Sequence, residues 1–127
     1  MAGYSGTPLS RKLGITPGAR VALVGAPRGF SLVKRAGRPP YDVAVAFVTS
    51  KVRIRTIFEQ TSQNMGEAGG LWLAWPKKSS GVETDVTENA LRDAILPTGW
   101  VDNKVCAIDE TWSGLRFVKR VALRKRT

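Results

Sequence analysis

Three short apolar runs constrain this chain more than any other feature: ARVALVG (19–25), YDVAVAFV (41–48) and LWLAW (71–75). Each is short for a helix and too continuously apolar for a strand with one wet face, so each reads as a strand buried on both faces. Turn signals bound them: Pro17-Gly18, the segment Gly25-Ala26-Pro27-Arg28-Gly29, the stretch Gly37 to Pro40, and Pro76. Between the second and third runs the period changes. Ser50 can cap a helix from about Lys51 to Met65, with Ile54, Ile57, Phe58, Thr61 and Met65 on one face, closed by Gly66, Gly69 and Gly70. After the third run, Asp85 and Glu88 have the spacing of a capping box. The helix that follows turns Val86, Ala90, Leu91, Ala94 and Ile95 inward and ends at Pro97 and Gly99. Two further strands, about Val101 to Ile108 and Leu115 to Val121, flank the turn Asp109 to Gly114, with Val101, Val105, Phe117 and Val121 supplying packing.

Residues 1–7 read as loose, and Thr7-Pro8 as the cap and first residue of a short helix, Pro8 to Leu13, stopped at Gly14. Phe30 to Ala36 has room for another short helix. Strands alternating with helices predict one α/β domain over residues 1–127. The expected architecture is a Rossmann-like, mainly parallel sheet of about five strands with flanking helices. A C-terminal antiparallel β-hairpin and a basic tail, 122–127, complete it.

A chain of 127 residues with 43% hydrophobic and 24% charged residues can bury a core without a disulfide or metal. Cys106 has no partner for an internal disulfide, and its setting, VCAI, predicts a buried, inert thiol. There is no histidine. Histidine acid–base chemistry, the Ser-His-Asp triad and histidine-containing metal sites are thereby excluded, so the expected metal set is empty. No long apolar run and no signal-peptide pattern is present, which predicts a cytoplasmic location without membrane contact.

Two resemblances bear on the fold. ITPGARVALVGAPRG resembles the first strand and glycine loop of S-adenosylmethionine-dependent methyltransferases; YDVAVAFV and EAGGLWLAW resemble their next strands, and the terminal hairpin their last two. LSRKLGI, PGARVALVGAP, LWLAWPKKSSGV and above all KVCAIDETWSGLRFVKR are similar to a bacterial family of unknown function, the DUF-thirty-fifty-two family. That likeness spans nearly the whole chain. It implies a small Rossmann-like domain and no established activity, substrate or catalytic residue. The segment after Gly29 is shorter here than in that family.

The methyltransferase likeness would make S-adenosylmethionine a cofactor, but the chemistry it requires is incomplete. Gly25 and Gly29 remain, while Pro27 removes an N–H donor from the cradle. The short stretch between Val24 and Asp42 leaves no unit to carry a ribose-binding acid.

The candidate ligand residues share one expected location. In parallel sheets ligands bind at the carboxyl ends of the strands. Gly25, Arg28 and Gly29, then Lys51, then Lys77, Lys78 and Ser79, and finally Asp109, Glu110 and Trp112 all fall there. Lys51, Arg53 and Arg55 crowd a helix start, where the dipole disfavours cations. Either a bound anion compensates, or acids of the protein do, with Asp109 and Glu110 pairing with Lys77 or Lys78. Trp112 either packs across the hairpin or stacks on an aromatic ligand. Trp72, Trp75 and Trp100 read as core. Thr111, Ser113, Ser79 and Ser80 lack a histidine base, so no catalytic residue is assigned.

The net charge is +10, and Arg116, Lys119, Arg120, Arg124, Lys125 and Arg126 form an acid-free C-terminal run. Such a run favours polyanions. The expectation is a non-catalytic binding module for an anionic partner, nucleic acid or a nucleotide-like ligand. The alternatives are a methyltransferase, active or degenerate, and a protein–protein adaptor or oligomer subunit docking through an exposed edge strand.

Overall fold

The computed structural model describes residues 8–32 and 37–125. The chain runs α1 (Leu9–Lys12), β1 (Val21–Val24), β2 (Tyr41–Phe47), α2 (Ile54–Ser62), β3 (Met65–Pro76), α3 (Glu88–Ile95), β4 (Trp100–Ala107) and β5 (Trp112–Lys119). Short 3-10 turns precede α2, follow β3 and α3, and end the described chain. The expectations for residues 1–7, for the second half of a helix at 30–36 and for Arg126 lie outside the described residues.

The five strands form one sheet in the order β1-β2-β3-β5-β4. β1 pairs with β2 and β2 with β3 in parallel; β3 pairs with β5 and β5 with β4 antiparallel. This corrects the expected mainly parallel, Rossmann-like sheet: the fold is mixed α/β, and its antiparallel ladders hold more of the pairing. The cause lies in the last hairpin. β5 returns from a short turn and inserts between β3 and β4, so both of its edges are antiparallel.

The two longer helices share one face of the sheet, and among the described residues only the one-turn α1 lies on the other. Ile54 and Phe58 of α2 and Ala90, Leu91 and Ile95 of α3 pack in one cluster with Ala44, Ala46, Leu71 and Leu73. Ala44 and Ala46 on β2 let α2 approach closely, and full burial of a side chain such as Phe58 or Leu91 is worth about 2 kcal/mol. The opposite face, with Val43, Val45, Phe47 and Trp72, is covered by Leu13 and by the irregular segments bearing Ile15, Ala19, Phe30 and Leu32. Trp72 is fully buried there, and its indole N–H donates to the Leu13 carbonyl at 3.1 Å.

Local chemistry shifts several expected boundaries. α2 ends at Ser62, and Gly66, Gly69 and Gly70 lie inside β3 rather than closing a helix. Close packing needs them there: a Cβ at Gly69 would meet the Tyr41 carbonyl at 2.8 Å. The cap of α3 is Thr87, whose hydroxyl accepts from the Ala90 N–H at 3.0 Å. Asp85 instead accepts from the Lys51 N–H at 2.7 Å, so the expected Asp85–Glu88 capping box does not form. Phe117 is buried as expected, but Val105 is 52% and Val121 75% exposed, so the latter two are not packing residues.

Candidate functional site

The strand exits build one groove. β1 ends in Gly25, and the chain turns twice through positive φ, 66° at Gly25 and 84° at Gly29, a conformation that favours glycine. The turn brings Phe30 against Phe47 at the end of β2, with ring centroids 5.0 Å apart, edge to face. Phe47 in turn meets Trp112 at the start of β5, again at 5.0 Å and edge to face. Over this aromatic row lies an open groove of ≈ 600 Å³ walled by Arg28, Gly29, Phe30, Asp109, Thr111 and Trp112. Of the residues expected at the strand ends, it gathers Arg28, Gly29, Asp109 and Trp112.

The others do not line it. Gly25 shapes the strand exit. Lys51 is exposed, and its N–H is satisfied by Asp85. That carboxylate, with the Arg55–Glu59 ion pair at 3.2 Å, is the acidic compensation found at the cation-rich helix start. Lys78 and Ser79 lie exposed in the 3-10 turn Lys78–Ser80, and Glu110 is exposed at the hairpin tip.

The expected ion pairs between Lys77 or Lys78 and Asp109 or Glu110 are not made. The Lys77 ammonium donates to the backbone carbonyl of Asp109 at 2.6 Å. The Asp109 carboxylate is already engaged: one oxygen accepts from the N–H groups of Thr111 and Trp112, both at 2.8 Å. Asp109 therefore shapes a turn, a role open to Asp because its side chain can imitate the backbone acceptor. Trp112 is only 9% exposed, and its ring packs on Phe47. It serves as the floor of the groove, not as a free stacking surface.

The C-terminal cations divide between the two faces of the sheet. Lys119 pairs with Glu67 at 3.1 Å, and Glu67 also accepts from the Lys125 N–H at 2.6 Å. These contacts, the backbone one first, hold the Glu67 carboxyl below its usual range. The Arg124 guanidinium folds back to the Lys119 carbonyl at 2.9 Å. Arg120 is exposed. Arg116 points to the other face, opposite Lys104 of β4 and beside Trp72 of β3. Burial lowers its pKa, and nearby Arg124 lowers it further. Lys104 was not legible as its neighbour, because only the bulge between Asp102 and Lys104 sets Lys104, rather than Asn103, opposite Arg116.

Cys106 is half-buried, and burial raises its pKa while Lys12 and Lys104 pull it down. Among the described residues no three His, Cys, Asp or Glu side chains gather as a metal-binding group, and no helix is long and apolar enough to cross a membrane. No protein-family model matches the chain, and no curated protein matches it.

Proposed function

We propose that this chain is a small non-catalytic module that binds a polyanion, with nucleic acid as the partner and the phosphate backbone as the element contacted. One observation carries the reading. The chain has 20 Lys and Arg against 10 Asp and Glu, and among the described residues only Arg55, Arg92 and Lys119 form ion pairs within the protein. Lys77, Lys104 and Arg124 reach only backbone carbonyls, and the other described cations form no ion pair with a described acid. Backbone contacts of this kind supply affinity with little sequence preference. A cytoplasmic location goes with the reading. So does membership of the DUF-thirty-fifty-two family, on the strength of KVCAIDETWSGLRFVKR.

The competing readings find less support. Of the two edge strands, β1 is met at Val21 by the Gly37 N–H at 2.9 Å, and β4 is bulged beside Asp102 and carries Lys104, two devices that discourage strand addition. For a methyltransferase, a ribose-binding acid is wanted near the glycine turn. Asp42 instead accepts from the Arg20 N–H at 2.8 Å at the start of β2, the far end of the strand.

Fluorescence anisotropy with labelled mixed-sequence oligonucleotides at low salt tests the proposal. Binding of similar strength to unrelated sequences is expected. No binding at low salt, or a preference of more than about a hundredfold for one sequence, refutes it, since non-specific backbone binding carries no such discrimination.

A further inference from the structure

We propose that the cleft between α1 and the β4–β5 hairpin is a phosphate-group site, with Lys12, Lys104 and Arg116 as the charged contacts and Asn103 as a neutral donor. The inference deepens the polyanion reading, on which only the source of the phosphate rests.

The cleft has a volume of ≈ 220 Å³ and is walled by Lys12, Gly14, Trp72, Asn103, Lys104 and Arg116, with Leu13 behind them. Sites for whole drug-sized ligands begin at about 300 Å³, so this one suits a single small group. Three of its walls are cations and none is a carboxylate.

The fold sets these charges against one another. Lys104 and Arg116 are direct cross-strand partners on one face, an arrangement that destabilises a sheet when the two charges are alike. The Lys104 ammonium is drawn to α1 as well, donating to the Lys12 carbonyl at 3.2 Å. That bond uses one of its three protons. Arg116 makes neither a hydrogen bond nor an ion pair with any described side chain, although the strand partly buries it. Room for it comes from Gly70: a Cβ there would lie 2.7 Å from one guanidinium nitrogen and 2.8 Å from its carbon. A missing side chain thus leaves space for a cation that has no internal partner.

An oxyanion in the cleft would face all three cations at once and offset the Lys104–Arg116 repulsion. The planar guanidinium offers paired N–H groups suited to phosphate, and each lysine adds a point charge. The backbone N–H of Gly14 is already bonded to the Arg11 carbonyl at 3.1 Å, so recognition falls to the side chains. Trp72 forms a rigid wall, its N–H held by the Leu13 carbonyl.

The test is a titration of the full chain with inorganic phosphate at low ionic strength, followed by amide NMR. Shifts concentrated at Gly14, Asn103, Lys104 and Arg116 are expected. Arg116→Gln should weaken phosphate about tenfold, the loss of one charged hydrogen-bonding group. Lys78→Gln, far from the cleft, should leave affinity unchanged. Gly70→Ala, which displaces the guanidinium and keeps its charge, should weaken phosphate while the remaining amide spectrum stays native. If Arg116→Gln fails to fold, Lys104→Gln at an exposed position replaces it, with a similar loss expected. Phosphate shifts scattered over the surface, or equal affinity in the Arg116→Gln, Lys104→Gln and Lys78→Gln proteins, overturn the site.

A second arm uses a short oligonucleotide. If it perturbs the same amides and Arg116→Gln weakens it, both the site and its source stand. If phosphate binds the cleft and the oligonucleotide does not bind the protein, the site stands and the nucleic-acid reading fails.

Discussion

Replacing Asp109 by alanine tests whether the hairpin turn is built for shape or for chemistry. One carboxylate oxygen accepts two backbone N–H groups, from Thr111 and Trp112, each at 2.8 Å. A hydrogen bond to a charged group is worth about 1.5–3 kcal/mol net when well buried. Here the residue is half-exposed, and water can satisfy the Thr111 N–H once the carboxylate is gone. The Trp112 N–H belongs to a buried residue on which Phe47 packs, so its loss is felt more fully. Together these give about 2 kcal/mol. For a domain of 127 residues the unfolding entropy is about 2.1 cal/mol/K per residue, so the melting temperature should fall by about 7 °C. Asn keeps an acceptor at the same place and should lose less than half as much. Calorimetry on the three proteins, with phosphate affinity measured alongside, decides the matter. Asp109→Ala melting within a degree or two of the parent refutes the structural reading of this turn, and so does abolished ligand binding at an unchanged melting temperature.

The remaining predictions concern the supports of the two faces. Trp72→Phe removes the N–H that meets the Leu13 carbonyl in a fully buried site, and urea unfolding should show a loss of about 2–3 kcal/mol from the orphaned carbonyl and the smaller ring. Asp85→Ala and Thr87→Ala should each cost about 1 kcal/mol by removing a cap. The Asp85 change should become worse at low salt, because it also withdraws the acid beside Lys51 and Arg53. Glu67 ties the C-terminal turn to β3, and its folded pKa lies below the ordinary carboxyl value. Its contribution is therefore present above the unfolded pKa and is lost as pH falls through the lower, folded value. Amide signals of Val121 to Lys125 should stay native through the usual glutamate range and move only below it; in Glu67→Gln this acid transition should vanish.

The strands and the two longer helices were readable because their patterns are strong: Val43 to Phe47 is continuously apolar, and Ile54, Phe58 and Thr61 repeat at helical spacing. The place of β5 in the strand order was not. Nothing in LRFVK says that this strand slips between LWLAW and WVDNKVCA, because insertion is decided by which edge offers complementary faces after collapse. Capping failed for a related reason. Asp85 and Thr87 are both good cap residues two positions apart, and the choice went to Thr87 because Asp85 was drawn to the distant Lys51 N–H. At the strand ends, the sequence brought Arg28, Gly29, Asp109 and Trp112 to one groove, yet overstated their freedom, since Asp109 is consumed by its own turn and Trp112 by packing. The acid-free tail looked like one cationic surface, but alternation along β5 sends Arg116 and Lys119 to opposite faces. Lys12 and Lys104 escaped notice because their neighbourhood exists only through a bulge and an interaction across most of the chain.

The salt dependence of oligonucleotide affinity bears most directly on polyanion binding by this protein. For a single strand, log affinity falls against log salt with a slope of about −0.7 per phosphate engaged. Contact with about four phosphates predicts a slope near −2.8, and a loss of about fiftyfold between 50 and 200 mM salt. A slope shallower than about −1, or no measurable binding at the lower salt, contradicts it.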